Sequence, residues 1–129
     1  MLRRLRQPKS REEIGKIGEN AAARHLQSQG YAILERNWTC AAGEIDIVAR
    51  HRDTLVFVEV KTRTSDEFAA PAESVTAHKR RHLIACAKMF LAARAKGECP
   101  CRFDIVEVLL TPRGRIIQID LLLGAFGVD

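Results

Sequence analysis

The chain has no run of apolar residues approaching the ~20 that cross a bilayer, which excludes a helical membrane protein. Its first residues, Met1 to Arg11, are basic but lack the apolar core of a signal peptide, so a cytoplasmic address and no membrane partner are expected. There is no glycine-rich phosphate loop and no Ser-His-Asp order, so nothing argues for acyl transfer or for a loop that cradles phosphates. Aromatic residues make up only 5%, too few for a base-stacking platform, and Tyr31 and Trp38 are expected to pack beside the first strand. The four cysteines are scattered apart from Cys99-Pro100-Cys101; without a second close pair they read as free thiols rather than a zinc site. Internal repeats, linkers and low-complexity segments are also missing. With 47% hydrophobic and 29% charged residues, the 129-residue chain is neither disordered nor membrane-embedded. One domain over 1–129 is expected, burying roughly two-thirds of its unfolded surface, with 1–10 as a basic, flexible arm.

What is present in excess is positive charge, +5 with a pI near 9.3. It crowds into the arm (Arg3, Arg4, Arg6, Lys9, Arg11) and into a later helical stretch (Lys79, Arg80, Arg81, Lys88, Arg94, Lys96). A solvated helix face would account for some of this. Patches of this kind are also the footprint of a polyanion, because each phosphate contact releases condensed counterions, and a nucleic-acid partner is expected.

Ser10-Arg11-Glu12-Glu13 reads as a capping box that opens a helix running to about Gln29, with Gly30 as its stop. Ile14, Ile17, Ala21 and Leu26 supply its apolar stripe. At 100° per residue Glu19 lies about 140° from Ile14, close to Leu26 at about 120°, on the border of the buried face. Strands follow at 31–39, 43–50 and 54–62 as a meander, then a loop from Thr64 to Pro71 and a helix over 75–96 that ends before Gly97. Strands at 102–110 and 115–123, joined by Thr111-Pro112-Arg113-Gly114, complete the order α-β-β-β-α-β-β. A meander, a crossover helix and a return strand specify an α/β fold, a mixed sheet flanked by helices.

Gly43-Glu44-Ile45-Asp46 and, past a turn, Phe57-Val58-Glu59-Val60-Lys61-Thr62-Arg63 carry the chemistry. Alternation along a strand sends Glu59 and Lys61 to one face and Val56, Val58 and Val60 to the other. The face of Glu59 also bears Leu55 and Phe57, so the strand is buried on both sides and its charged end opens into a cleft, where charges are costly unless paired or bound to metal. On the preceding strand Ile45 and Ile47 are expected on the buried face, with Glu44, Asp46 and Val48 on the other. A hairpin through His51-Arg52-Asp53-Thr54 would bring Asp46 and Glu59 together, a pair of oxygen ligands for a hard divalent cation beside an ammonium that can stabilise charge at a phosphate. His78 and His82, four apart on one helical face with Lys79, Arg80 and Arg81 between them, fit a phosphate-facing surface better than a metal site.

An Asp followed, after a strand and a turn, by Glu-x-Lys resembles the PD-(D/E)xK nuclease superfamily. The fuller wording is similar to the small YraN-like family of bacterial proteins. It comprises Gly15-Lys16-Ile17-Gly18-Glu19-Asn20-Ala21-Ala22, Glu35-Arg36-Asn37-Trp38, Gly43 to Ala49, Val56 to Arg63, Lys79, and Arg102-Phe103-Asp104. The resemblance implies a restriction-endonuclease-like fold with Asp46 and Glu59 as metal ligands, the Val60 carbonyl as a third, and magnesium or manganese as the ion. It implies that Lys61 holds or activates the attacking water or neutralises transition-state charge. Glu19 matches a glutamate that archaeal Holliday junction resolvases contribute from their first helix, and would complete a second metal site or hold a metal-bound water. The proline that names the superfamily is replaced by Ile45, and the usual polar residue of the second helix is matched only loosely, by Lys79.

The expected activity is metal-dependent phosphodiester hydrolysis of nucleic acid by a structure-selective DNA endonuclease. Arg63, Lys79, Arg80, Arg81 and the arm would grip the backbone, with little sequence preference. A homodimer would allow two symmetric cuts. Two other readings are a non-catalytic nucleic-acid-binding module on the nuclease fold and a protein-docking adaptor that uses the 75–96 helix.

Overall fold

The computed structural model describes residues 7–67, 76–94 and 99–126. Helix α1 (Arg11–Ser28) opens with the expected capping box: the Glu13 amide donates to Ser10 Oγ at 3.1 Å and the Ser10 amide to Glu13 Oε1 at 2.9 Å. It closes one residue earlier than expected. Gly30 takes a left-handed φ of 91°, and the Tyr31 amide returns to the Leu26 carbonyl.

Strands β1 (Ala32–Cys40), β2 (Gly43–His51) and β3 (Thr54–Thr64) form the meander, helix α2 (Ala77–Arg94) crosses over, and β4 (Cys101–Leu110) and β5 (Ile116–Phe126) follow. The sheet order is β1-β2-β3-β4-β5, and only β3 and β4 run parallel, because the α2 crossover returns the chain to the end of the sheet at which β3 began. Each strand lies within a few residues of its expected place. Residues 68–71 of the expected loop, residues 75, 95 and 96 of the expected second helix, Gly97 and the arginines Arg3, Arg4 and Arg6 lie outside the described residues. No helix among the described residues is long and apolar enough to cross a membrane.

Two apolar layers sandwich the sheet. On one face α1 packs Ile14, Ala21, Ala22 and Leu26 on Ile47, Ala49, Val56, Val58, Val106 and Val108. On the other, α2 packs Leu83, Cys86, Ala87 and Phe90 on Ile45, Val48, Leu55, Phe57 and Phe103. The central strands are buried on both faces, which is why their middles read as near-continuous apolar runs. Helix α1 lies close on β3 at Gly18, where any Cβ would overlap the Thr62 side chain, and Glu19 is the next residue of the helix.

Two expectations need correction. Ile45 and Ile47 do not share a face: Ile45 joins the α2 layer and Ile47 the α1 layer. The partner strand is irregular at the same level. Arg36 is paired with Ile47 and Trp38 with Ile45, and between them Asn37 sits at φ 52°, a left-handed conformation that breaks strict alternation. Strand β2 pairs with β3 only from Ile47 (opposite Val58) to His51 (opposite Thr54), so its first residues diverge from β3. Strand β5 in turn runs past its expected end, to Phe126.

A buried ion cluster sits at the opposite end of the sheet. Asp104 is fully buried and accepts hydrogen bonds from Arg102 Nε at 2.9 Å, the Tyr31 hydroxyl at 3.0 Å and the Gly124 amide at 2.9 Å. The Tyr31 ring stacks on His51 with centroids 4.3 Å apart. Burial, then the adjacent Asp104, pushes the Tyr31 hydroxyl up to about 12. Every partner of Asp104 is supplied, so the cluster ties the segments before β1 and in β5 to β4.

Candidate active site

Glu59 leaves β3 on the α2 face with only 7% of its surface exposed. Its carboxylate receives Lys79 Nζ of α2 at 2.5 Å, so this lysine stands at the acidic centre. Thr76 positions it, since Thr76 Oγ1 accepts from the Lys79 amide at 3.1 Å and caps the start of α2.

Asp46 occupies the point where β2 parts from β3. A regular ladder would have supplied a β2 carbonyl to the Val60 amide; here Asp46 Oδ2 accepts that amide instead, at 2.8 Å. The carboxyl is mostly buried and pushed up to about 7, first by burial and next by the charge of Glu59, with which it also shares a hydrogen bond; Glu19 adds a smaller push, and only the Val60 amide opposes. Two carboxylates in contact cannot both ionise cheaply, and the Lys79 ammonium on Glu59 offsets part of that cost. An extended residue directs its amide and carbonyl to the same side, so the Val60 carbonyl also lies on the β2 side of β3.

Glu19 reaches this end of the sheet from α1. Its Oε1 accepts from Asn37 Nδ2 at 2.6 Å and from Arg36 Nη2 at 3.4 Å, and Arg36 Nη2 also donates to Asn20 Oδ1 at 2.6 Å. Lys61 follows Glu59 on the same face, half-buried and level with Glu107 of β4, and Arg63 comes next along that face. Arg80 and Arg81 are exposed on the first turns of α2. His82 Nδ1 lies 3.0 Å from the Ala42 carbonyl in the β1–β2 turn, and its ring meets that of His78 at 4.5 Å.

The fold thus brings Asp46 and Glu59 into contact, sets Lys79 on Glu59, and places Glu19 near enough to influence Asp46 while its hydrogen bonds go to Arg36 and Asn37. Among the described residues no group of three or more His, Cys, Asp or Glu side chains converges on a point that could hold a metal. The all-oxygen donor set of Asp46 and Glu59 fits a hard divalent cation, held by two carboxylates, whose binding would compete with protonation of Asp46. All four cysteines are free, with Cys40 and Cys86 in sulfur contact at 3.4 Å. A cleft of about 520 Å³ lies on the α1 face, between Lys9, Arg11 and Gly15 and the end of β3 at Thr62 and Thr64, and none of Glu19, Asp46, Glu59, Lys61 or Lys79 lines it. Asn37 was legible only as part of a word, Glu-Arg-Asn-Trp; the useful signal was an asparagine, the residue most tolerant of a left-handed backbone after glycine, inside a strand.

A family model described as "Uncharacterised protein family UPF0102" matches residues 18–108, which include every strand of the meander, α2 and most of β4. Curated relatives agree. A UPF0102 protein of Moorella thermoacetica is 45% identical over 117 residues, covering 91% of this chain and 98% of that protein. One of Caldicellulosiruptor saccharolyticus is 42% identical over 117 residues, covering 91% and 99%. One of Symbiobacterium thermophilum is 47% identical over 103 residues, covering 80% and 87%. A family match over most of the chain, joined to relatives of similar length at these identities, makes the protein a member of the UPF0102, or YraN-like, family.

Proposed function

We propose that the protein is a metal-dependent nuclease that hydrolyses phosphodiester bonds of nucleic acid, a structure-selective DNA endonuclease. The contact between Asp46 and Glu59, shielded from solvent and anchored through the Val60 amide, carries this reading, because two carboxylates are forced together at a cost that a divalent cation would relieve. A bound magnesium or manganese ion supplies polarisation of the scissile phosphate and acidification of an attacking water. Asp46 and Glu59 would hold that ion, and the Val60 carbonyl lies on the side to join them. Lys61 donates to the attacking water or to the phosphate oxygen that gains charge. Lys79 neutralises Glu59 in the metal-free protein, and with Arg63, Arg80 and Arg81 it lines the approach on which a phosphate backbone would lie. Cutting two strands symmetrically would require two sites and hence two copies of the chain.

The test is cleavage of junction, flap, single-stranded and RNA substrates in magnesium and in manganese by the wild type, Asp46→Ala and Lys61→Ala. Asp46→Ala should lose metal affinity and turnover together, whereas Lys61→Ala should keep metal and DNA binding and lose turnover. Wild-type protein that binds these substrates and cuts none would replace the nuclease by a binding module. Cutting that survives in both variants would place the chemistry elsewhere.

A further inference from the structure

Among the described residues of β1, only Asn37 has a left-handed backbone, at φ 52°. The β1–β2 register brackets it between Arg36 opposite Ile47 and Trp38 opposite Ile45, which sets Asn37 across from Asp46. The same residue donates its Nδ2 to Glu19 Oε1 at 2.6 Å, the shorter of the two side-chain bonds that Glu19 accepts. One residue is therefore level with the aspartate on β2 and bonded to the glutamate of α1. A left-handed residue within a strand costs free energy for any side chain but glycine, and such conformations cluster at sites where the surrounding structure enforces them.

We infer that Asn37 is a positioning residue: its left-handed backbone and its amide together hold the Glu19 carboxylate at the Asp46 end of the sheet, where it supports the two-carboxylate metal site from outside its ligand set. This rests on the metal-site reading given above. The alternative is that the position needs only a residue that tolerates φ 52°. Glycine separates the two, since it adopts that backbone without strain and removes only the side chain. Arg36 takes part through its weaker contact with Glu19 at 3.4 Å, and its stronger bond is to Asn20 at 2.6 Å, so it braces the helix more than the carboxylate.

The experiment measures Mn2+ affinity, by electron paramagnetic resonance of free manganese, for the wild type, Asn37→Gly, Glu19→Gln and the double variant. Urea denaturation of each provides a check that the fold is kept. Partners that orient metal ligands typically account for about 10–100-fold in affinity, so Asn37→Gly should weaken Mn2+ binding by roughly 10-fold with its urea midpoint near that of the wild type. In the Glu19→Gln background the same change should have little further effect, because its route of action is gone. Unchanged affinity in Asn37→Gly would overturn the inference, as would a loss of equal size in both backgrounds. Wild-type protein that binds no Mn2+ would overturn both the inference and the metal site beneath it. Wild-type protein that binds Mn2+ with the predicted coupling yet cleaves no nucleic acid would leave the role of Asn37 standing and remove only the nuclease.

Discussion

Replacing Asp46 by asparagine should stabilise the metal-free protein at alkaline pH. The carboxyl is pushed from 3.8 to about 7, chiefly by burial and by Glu59. A raised acid means that the folded state holds a proton that the unfolded chain has released. Its stabilisation is complete below about 3.8 and is lost as pH climbs through about 7. A rise of that size corresponds to about 4 kcal/mol, and sharing of the proton with Glu59 makes about 2–3 kcal/mol a better expectation. The substituted carboxamide would keep an oxygen for the Val60 amide and offer an N–H to Glu59, so it mimics the protonated aspartate at every pH. Urea unfolding in the presence of a chelator should therefore show the margin of Asp46→Asn over the wild type growing by about 2–3 kcal/mol between about pH 5 and about pH 8. Saturating manganese should reverse the order at the higher pH, because only the wild type gains from the ion. A variant no more stable than the wild type under alkaline conditions, with equal midpoints at both pH values, would refute the claim that Asp46 and Glu59 repel each other in a shielded site.

Other outcomes follow from the same geometry. DNA affinity should fall steeply with salt, and replacing Lys79, Arg80 and Arg81 by alanine should flatten the log–log slope by up to ~0.9 per lost phosphate contact; an unchanged slope would move the binding face elsewhere. Asp104→Ala should cost about 3–5 kcal/mol in chemical denaturation, since it leaves Arg102 against Tyr31 without its counter-charge, while manganese affinity of the folded protein stays the same. Gly18→Ala should cost about 1–3 kcal/mol by driving a methyl into Thr62, and Thr62→Ala in the same chain should recover part of that loss, as seen by thermal unfolding.

Much of the fold was legible because local signals agreed with one another. The capping box at Ser10 and Glu13, the stop at Gly30 and the alternation along Leu55 to Lys61 each follow from short-range rules, and each appears in the folded chain. The convergence of Asp46 with Glu59 was legible for a partly mistaken reason. A simple hairpin register predicts it, whereas the contact depends on β2 leaving β3 beyond Ile47, so that Asp46 turns to the Val60 amide. That departure, and the split of Ile45 and Ile47 between layers, occur level with the left-handed Asn37 on another strand, and no pattern within β2 encodes them. The pairing of Lys79 with Glu59 was not legible, because a helical charge run reads as a solvated face until the tertiary fold lays its first turn over Glu59. The Asp104 cluster was hidden altogether, because its members come from positions 31, 51, 102, 104 and 124 and meet only when the sheet closes.

The central claim is that Asp46 and Glu59 form the metal-binding heart of the site. Crystals grown with manganese and measured at its absorption edge test it directly through the anomalous difference map. A peak between the two carboxylates, with oxygen distances of about 2.0–2.6 Å and Lys79 swung away from Glu59, is the predicted result. A map without a peak at that point, or with manganese at His78 and His82 instead, would contradict it.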